Sequence, residues 1–288
     1  MRAIGHWKVP CIGLGVMPLD EYGPVDEKKA VEFLRFAKKQ GVILFDTADV
    51  YGLGRNEELL GKAFSAKEQE EIVIATKAGC TRPGGKDWGV DGRPSHIKEA
   101  IKQSLKLFGV KKIKLYQLHA PDPKVPFEDT IRAFKELHQQ GLFEHFGLSN
   151  VSLEQVKIAQ KILPVVSVQN HFNLTFKRDE EKLLPYLTKE KIAFLPYFPL
   201  GGNFSGMRQL REDSRLQEIA KKLGITVSQL LLAWIINKWP TAITISGTTS
   251  REHLVENMKA GEIKLSKEQI KNIEEGSINP EMKNRLMP

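Results

Sequence analysis

The chain has 288 residues and a formal net charge of +8, with 41% hydrophobic and 27% charged residues. A chain of this length buries about three quarters of its unfolded surface on folding, so it needs neither disulfides nor a metal to fold. No stretch approaches the roughly 18 apolar residues of a membrane-spanning helix. Its lysines are interleaved with glutamates, which is typical of solvated helix faces and argues against a nucleic-acid-binding surface.

The two cysteines, Cys11 and Cys80, lie far apart in the sequence, and no metal-ligand pair stands beside either of them. So few cysteines are typical of a reducing compartment. The first residues, MRAIGHWKVP, lack the long apolar run of a signal peptide. We therefore expect a cytoplasmic protein that has no metal site.

Eight short apolar, β-branched runs recur along the chain and are predicted to be strands. Near-continuous apolar strands that alternate with amphipathic segments indicate a parallel sheet covered by helices. The runs are Ile12–Val16, Val42–Phe45, Ile72–Thr76, Ile113–Leu118, Phe143–Leu148, Val165–Gln169, Ile192–Tyr197 and Ala242–Ile245.

The segments between these runs are predicted to be helices. Asp26–Gln40 stops at Gly41, and a second helix is expected to begin with Ser95 as its N-cap and to end at Gly109. The others are Phe127–Gln140, a helix capped by Ser152, two helices near Asp213–Leu223 and Val227–Trp239, and a terminal helix over Ser266–Glu275.

A βα rhythm of this kind fits either two doubly wound domains or one closed barrel. No Pro/Gly/Ser-rich linker divides the chain, and Gly13-Leu-Gly15 does not continue into a dinucleotide-binding GxGxxG motif. The stretch around Gly84-Gly85-Lys86 also lacks the spacing of a phosphate-binding loop. We predict a single α/β domain over residues 1–288, a (β/α)8 TIM barrel with extra helices between strands seven and eight and at the C-terminus.

Polar residues follow three successive strands of the predicted barrel. Asp46 and Tyr51 follow strand two, Lys77 follows strand three and His119 follows strand four. Each residue alone has a more ordinary explanation as a turn, solvated or packing residue. Because chemistry in such barrels sits at the carboxyl ends of neighbouring strands, we expect the four side chains to converge on one site.

Such a quartet is suited to carbonyl reduction. A lysine ammonium beside a tyrosine hydroxyl stabilises the phenolate and lowers the pKa of that tyrosine below about 10. An aspartate paired with the lysine keeps it charged and oriented, and a histidine donates a hydrogen bond to a carbonyl oxygen. The group therefore offers a positioned proton donor for an oxygen that gains negative charge. The hydride must come from a nicotinamide cofactor, because no side chain supplies one.

Several motifs in the same order resemble those of the aldo-keto reductase superfamily. Phe45-Asp-Thr-Ala-Asp-Val-Tyr-Gly52 is similar to the family's aspartate–tyrosine motif, Ala75-Thr-Lys77 to its lysine strand and Gln117-Leu-His-Ala-Pro-Asp122 to its histidine motif. Gly147-Leu-Ser-Asn150 and Gln169 resemble its nicotinamide contacts. The resemblance implies that Tyr51 is the general acid, that Lys77 paired with Asp46 assists it, and that His119 orients the carbonyl.

The resemblance also implies where a cofactor binds. Ser149, Asn150 and Gln169 would hold the carboxamide, Tyr197 would stack on the nicotinamide ring, and Phe198-Pro199-Leu200-Gly-Gly202 would follow the pyrophosphate. Its glycines allow the backbone to approach closely. The remaining implied contacts are Val16, Met17, Asp46, Gly247, Thr248, Thr249, His253, Glu256 and Asn257.

Three positions depart from the family pattern. Phe198 stands where a serine is common, and Val16 stands where a threonine is common near the ribose. After strand eight, no lysine or arginine occupies the position that grips the 2′-phosphate, although Thr248, Thr249, Arg251 and His253 are near in sequence. We expect NADP(H) as cofactor, favoured by the positive charge, with NAD(H) possible.

Substrate selectivity in this family comes from loops at the barrel mouth. Tyr51, Leu53, Trp88 and His119 are the predicted substrate contacts, although Trp88 could equally anchor its own loop. The expected partner is a small aldehyde or ketone, and the expected state is a monomer. One alternative is a non-catalytic nicotinamide-binding regulatory subunit on the same barrel. Another is a barrel metallohydrolase, which the lack of a His-x-His cluster beside His119 disfavours.

Overall fold

The computed structural model describes residues 1–19, 26–83, 87–202 and 204–275. Eight parallel strands form its central sheet in the order β7-β6-β5-β4-β3-β2-β1-β8. They are β1 (Ile12–Gly15), β2 (Leu44–Asp46), β3 (Val73–Ala78), β4 (Ile113–Leu118), β5 (Phe143–Ser149), β6 (Val165–Gln169), β7 (Ala193–Phe194) and β8 (Thr244–Gly247).

Backbone hydrogen bonds join the two edges of this sheet. Ile243, immediately before β8, donates its N–H to the carbonyl of Phe194 in β7 at 2.8 Å, and the N–H of Phe194 donates to the carbonyl of Thr241 at 3.0 Å. The sheet therefore closes on itself, which leaves no unpaired edge. This closure confirms the predicted barrel.

Twelve helices lie in the described part of the chain. They are Glu27–Lys39, Arg55–Ala63, Ala66–Gln69, Pro94–Phe108, Phe127–Gln139, Leu153–Gln160, Leu183–Lys189, Phe204–Glu212, Ser214–Leu223, Val227–Lys238, Arg251–Lys259 and Lys267–Glu274. Short 3₁₀ helices span Met17–Leu19, Tyr51–Gly54 and Ala260–Glu262. No single described helix has the length and apolarity to cross a membrane, although Ser214–Leu223 and Val227–Lys238 together reach them across an 82° bend.

Local chemistry explains several helix boundaries, and one prediction is wrong. Ser152 caps its helix reciprocally with Gln155, as expected, and Asp213 is also an N-cap, since it accepts from the first N–H groups of its own helix. Ser95, however, is not an N-cap. Its helix begins one residue earlier at Pro94, whose fixed φ and missing N–H suit the first helical position.

The interval between β7 and β8 holds three helices in the described residues rather than the predicted two. The additional helix is Phe204–Glu212. A further unpredicted helix, Arg251–Lys259, follows β8 directly. The terminal helix Lys267–Glu274 matches its prediction, with Ser266 as N-cap.

Two apolar layers and a plug hold the barrel together. The larger layer packs the outer faces of the strands against the helices. Inside the barrel, a smaller cluster includes Leu44, Val73 and Leu115. An antiparallel hairpin of Arg2–Ile4 and Trp7–Val9 adds the buried side chains of Ile4 and Val9 to this inner cluster. The hairpin therefore closes the end of the barrel opposite to the carboxyl ends of the strands.

Candidate active site

Lys77 and Asp46 form a buried ion pair at the carboxyl ends of β3 and β2. Lys77 Nζ lies 2.9 Å from the Asp46 carboxylate, donates to the Thr47 carbonyl at 2.6 Å, and is 0% exposed. Gln169 Nε2 donates to Asp46 Oδ1 at 2.9 Å. A buried ion pair needs such additional hydrogen bonds to offset desolvation. The network fixes the ammonium in one place.

Tyr51 and His119 lie next to this ammonium. Lys77 Nζ is 5.3 Å from the centroid of the Tyr51 ring. The Tyr51 and His119 rings are 5.7 Å apart between centroids and nearly perpendicular, at 85°. Tyr51 and His119 are both largely buried. The structure thus brings together all four residues of the predicted quartet, from three adjacent strand ends.

The His119 imidazole is neutral in this environment. Burial and the nearby Lys77 ammonium hold the pKa of His119 well below its ordinary value. Its Nδ1 is buried and has no hydrogen-bond partner among the described residues. A neutral imidazole carries one N–H donor and one acceptor, so it is able to donate a hydrogen bond without adding a second positive charge beside Lys77.

The loop that carries Tyr51 has an unusual backbone. Gly52, Leu53 and Gly54 all have positive φ, and Leu53 is 69% exposed. Below the loop, Asn56 Nδ2 donates to the Val16 carbonyl at 2.9 Å, and its Oδ1 accepts from the Thr47 hydroxyl at 2.8 Å. These buried bonds anchor the loop between β1 and β2, so the strained turn is held by its surroundings.

Trp88 contacts the two central rings from the opposite loop. Its ring centroid is 6.3 Å from that of Tyr51 and 6.1 Å from that of His119, edge to face in both cases. The Arg82 guanidinium lies 4.3 Å from the centroid of the Trp88 ring. Even so, Trp88 is 48% exposed. It is therefore held by its own loop and also faces the two central rings, and its contact with a substrate stays a prediction.

The residues predicted to hold a carboxamide share one hydrogen-bonded group. Asn150, which has φ of 58°, donates from Nδ2 to the His119 carbonyl at 2.9 Å and to the Ser149 hydroxyl at 3.2 Å. The Tyr197 hydroxyl donates to Asn150 Oδ1 at 2.7 Å. Gln169 joins the group because its carbonyl accepts from the N–H of Asn150 at 3.0 Å, while its side chain donates to Asp46. Strands β5, β6 and β7 therefore supply a second polar wall beside the quartet.

The predicted pyrophosphate segment has the backbone freedom that it requires. Phe198, Gly201 and Gly202 have positive φ. A Cβ at Gly201 would come within 2.8 Å of the Gly206 backbone, so a side chain does not fit there. Pro199 is buried, and Leu200 packs partly buried against the core.

Several other residues that were predicted to contact the cofactor pack or hydrogen-bond within the protein itself. Val16 is buried in the core, and Met17 packs beside Tyr51. Glu256 accepts a hydrogen bond from Thr226 at 2.6 Å, and Asn257 donates to Ser246 at 3.2 Å. Gly247, Thr248, Thr249 and His253 lie exposed or half-buried between β8 and the first turn of its helix.

The Arg251 side chain packs on another helix and is not free beside Thr248 and Thr249. Its guanidinium carbon lies 5.0 Å from the centroid of the Phe36 ring, on the helix after β1. The Ser250 hydroxyl caps the helix by accepting from the N–H of His253 at 3.1 Å. The geometry therefore offers hydroxyls and one imidazole at this position rather than a guanidinium.

Glu57 carries a buried carboxylate that no sequence motif indicates. This side chain accepts from the Thr76 hydroxyl at 2.5 Å and from the Ser104 hydroxyl at 3.1 Å. Burial raises the pKa of Glu57 from its ordinary 4.5 to about 7, against the opposing influence of Lys77. Burial likewise raises the pKa of Asp49 well above its usual range. Glu57 ties the helix after Tyr51 to the strand that carries Lys77.

Replacing Glu57 by Gln should change how stability depends on pH. The folded protein binds the Glu57 proton more tightly than the unfolded chain. Its stabilising contribution is therefore complete below about pH 4.5 and is lost as pH rises through about 7. Between pH 5 and pH 8, the free energy of unfolding of Glu57→Gln should rise by up to about 3 kcal/mol relative to that of wild type. The size follows because one pKa unit corresponds to about 1.4 kcal/mol. Urea denaturation at both pH values measures this gain.

Glu58→Gln on the same helix is the matched control. Glu58 pairs with Arg55 and Lys62 near the surface, and those partners lower its pKa. Its removal should leave no comparable rise in relative stability between pH 5 and pH 8. A difference in the free energy of unfolding between Glu57→Gln and wild type that stays constant across that range would contradict the titration assigned to Glu57.

The fold and the polar cluster at its mouth define a (β/α)8-barrel enzyme of the oxidoreductase class. The aldo/keto reductase family model matches residues 11–278. The chain therefore belongs to the aldo/keto reductase family, as its motifs predicted. This membership supports the enzyme over the non-catalytic subunit and the metallohydrolase.

Individual relatives agree with this assignment. The chain is 35% identical over 276 residues to an uncharacterized oxidoreductase of Schizosaccharomyces pombe, covering 94% of this chain and 88% of that protein. It is 34% identical over 275 residues to pyridoxine 4-dehydrogenase of Escherichia coli strain K12, covering 92% of this chain and 94% of that protein. A crystal structure of an aldo/keto reductase from Klebsiella pneumoniae with NADP and acetate superposes with a TM-score of 0.82. The two chains are 28% identical, and the match covers 97% of this chain and 95% of that one.

Proposed function

We propose that this enzyme reduces an aldehyde or ketone to an alcohol with NADPH, and that Tyr51 is the general acid. The observation that carries this proposal is the position of the Lys77 ammonium, which is buried, bonded to Asp46 and 5.3 Å from the Tyr51 ring centroid. A fixed positive charge stabilises the phenolate that remains after the proton leaves. Tyr51 then gives its proton to the substrate oxygen as negative charge develops there.

His119 orients the substrate in this proposal. Its neutral imidazole donates a hydrogen bond to the carbonyl oxygen, and the neighbouring Tyr51 ring places the phenol against the same atom. Because His119 stays neutral well below pH 6.5, its donor role does not depend on pH in the physiological range. Asp46 holds Lys77 and does not itself contact the substrate.

A nicotinamide cofactor fits the donor set beside the quartet. Ser149, Asn150 and Gln169 present hydroxyl and amide groups at neighbouring strand ends, as a carboxamide requires. Tyr197 lies stacked on His171, with ring centroids 5.4 Å apart, and offers a supported aromatic face. When bound, the cofactor supplies the hydride that no side chain provides.

The segments after β7 and β8 hold the phosphates. Phe198–Gly202 presents backbone without a side chain at Gly201, which allows a pyrophosphate to approach closely. Thr248, Thr249 and His253 would hold the 2′-phosphate, and Glu256 and Asn257 would lie beside the adenine. The complex of the Klebsiella pneumoniae relative with NADP supports this choice. Without a guanidinium fork, the preference over NADH is modest.

The substrate enters between Leu53 and Trp88. Both are exposed large apolar side chains, and both stand at the edge of the cluster that contains Tyr51 and His119. An apolar entrance above two hydrogen-bonding groups suits a modest-sized carbonyl compound. We also propose that residues 1–288 form one domain and that the enzyme is a monomer. The free thiols of Cys11 and Cys80 support a further proposal, a cytoplasmic location, because disulfides are rare in reducing compartments. Light scattering of the purified protein tests the monomer.

Trp88→Ala should raise KM for aromatic or branched aldehydes by about tenfold and leave the dissociation constant of NADPH unchanged. The indole packs against the catalytic rings and is absent from the proposed cofactor wall. Aromatic pairs contribute about 0.5–1.5 kcal/mol beyond area burial, which accounts for a change of this size. Steady-state kinetics and fluorescence titration separate the two effects. An unchanged KM for every carbonyl tested would remove Trp88 from the substrate site.

A screen of aldehydes and ketones that follows NADPH absorbance tests the proposed function. Pyridoxine belongs in the same screen in the direction of oxidation, because the Escherichia coli relative is a pyridoxine 4-dehydrogenase. Saturable turnover of at least one compound is expected. Dissociation constants should favour NADPH over NADH by a modest factor. Equal constants would contradict the cofactor choice, and a protein that binds NADPH but reduces nothing would contradict the reaction.

A further inference from the structure

Three side chains meet at the end of the barrel opposite Tyr51. His6 lies in the turn of the N-terminal hairpin, and Glu144 and His145 lie near the start of β5. His6 Nε2 is 2.9 Å from Glu144 Oε1, and His145 Nε2 is 3.0 Å from His6 Nδ1. Ser149, at the other end of the same strand, belongs to the proposed active site, so the two sites lie at opposite ends of the barrel.

The donor set is one that binds late transition metals. Two imidazoles and one carboxylate are the protein ligands of many zinc sites with an open fourth position. Their ligand atoms all lie within 4.8 Å of one another, and Glu144 Oε1 is 3.9 Å from His145 Nε2. A tetrahedral ion with bonds of about 2.0–2.1 Å places its ligands about 3.3 Å apart, so small rotations suffice. The His6 side chain is 61% exposed, which leaves room for water as a further ligand.

The surroundings keep the imidazoles in place. A Cβ at Gly5, which has φ of 57°, would lie 2.4 Å from the His145 ring, so the hairpin turn fits against this imidazole only because residue 5 is glycine. The His138 ring nitrogen bonds the Glu144 carbonyl at 3.2 Å.

We propose that His6, Glu144 and His145 form a binding site for one Zn²⁺ or a similar divalent transition metal. The ion fastens the N-terminal hairpin to the base of β5. Since Ile4 and Val9 of that hairpin belong to the inner apolar cluster, the metal stabilises the plug of the barrel. Its role is structural, and the proposal departs from the expectation, drawn from the sequence, of a protein without a metal site.

Calorimetric titration of the full chain with ZnCl₂, after removal of trace metal with a chelator, tests this site. One saturable equivalent is expected, together with a rise in melting temperature. His6→Ala and Glu144→Gln should each weaken zinc binding at least about tenfold, because loss of even an outer-shell partner costs 10- to 100-fold. His6 is exposed in a turn, so its removal leaves the folded core intact, and circular dichroism verifies this.

His96→Ala is the matched control. His96 is another half-buried histidine beside a carboxylate, with Nδ1 3.8 Å from Asp91, and it lies outside the cluster. This variant should bind zinc as wild type does. Co²⁺ used as a coloured probe should show tetrahedral absorption in wild type and lose it in His6→Ala. Absence of saturable binding, or equal binding by wild type and His6→Ala, would overturn the proposal.

Discussion

Tyr51→Phe should lower kcat for carbonyl reduction by about 10²- to 10⁴-fold, the usual contribution of a positioned general acid. The substitution removes one hydroxyl and keeps the ring. The packing of that ring against His119, Trp88 and Cys80 should therefore survive. The dissociation constant of NADPH should not change, because the proposed cofactor contacts lie on β5, β6 and the loops after β7 and β8.

Two measurements separate this loss from a structural defect. Single-turnover reduction of the best substrate from the screen gives the rate of the chemical step, and fluorescence titration gives the affinity for NADPH. Tyr186→Phe is the matched control, since its hydroxyl bonds Gln160 at 2.7 Å on the outside of the barrel, and it should retain full activity. Turnover of Tyr51→Phe within tenfold of wild type would remove Tyr51 from the acid role.

The barrel was predictable because its strands are short, apolar and continuous. Burial on both faces produces runs such as Ile72–Thr76 that need no tertiary information to recognise. The quartet followed from the same property, since the residue after a buried parallel strand lies at the barrel mouth. In contrast, the helix Phe204–Glu212 follows a glycine-rich loop and was missed as a separate element.

Backbone strain at the mouth was not predictable from residue type. Leu53, Asn150 and Phe198 have positive φ in the loops after β2, β5 and β7. Glycine usually marks this conformation, but none of these three is glycine. Their conformations depend on long-range bonds, such as Asn150 to the His119 carbonyl and Asn173 to the Phe198 carbonyl. Such strain clusters at functional sites when the surrounding structure determines it.

Long-range contacts also explain the residues that the sequence analysis overlooked. In the sequence, Glu57 looks like an ordinary helix carboxylate. Its burial is evident only in the fold, where it accepts hydrogen bonds from Thr76 and Ser104. The two histidines His6 and His145 are 139 positions apart and form no local motif. Only the hairpin that plugs the barrel brings them together. The same is true of the segment after β8 that is proposed to hold the 2′-phosphate, because no local sequence pattern predicts that Arg251 packs on Phe36.

Lys77→Met should lose both activity and stability. The activity loss follows because the phenolate of Tyr51 would no longer be stabilised by the ammonium near its ring. The stability loss, about 3–5 kcal/mol, follows because the Asp46 carboxylate would remain buried without its cation. Urea denaturation measures the second effect, and kcat as a function of pH measures the first. The limb of the pH–rate profile that reports the acid should move to higher pH.

The double variant Asp46→Asn/Lys77→Met separates the two effects. It removes both charges, while residue 46 keeps a side-chain oxygen that can accept from Gln169. Much of the lost stability should therefore return, whereas kcat should stay low because the ammonium is still absent. Lys114→Met is the control for loss of a partly buried lysine, since Lys114 lies over Trp7 at the other end of the barrel, and its kcat should equal that of wild type. Recovery of kcat in the double variant, or an unchanged pH–rate profile in Lys77→Met, would mean that Lys77 serves the fold rather than the proton transfer.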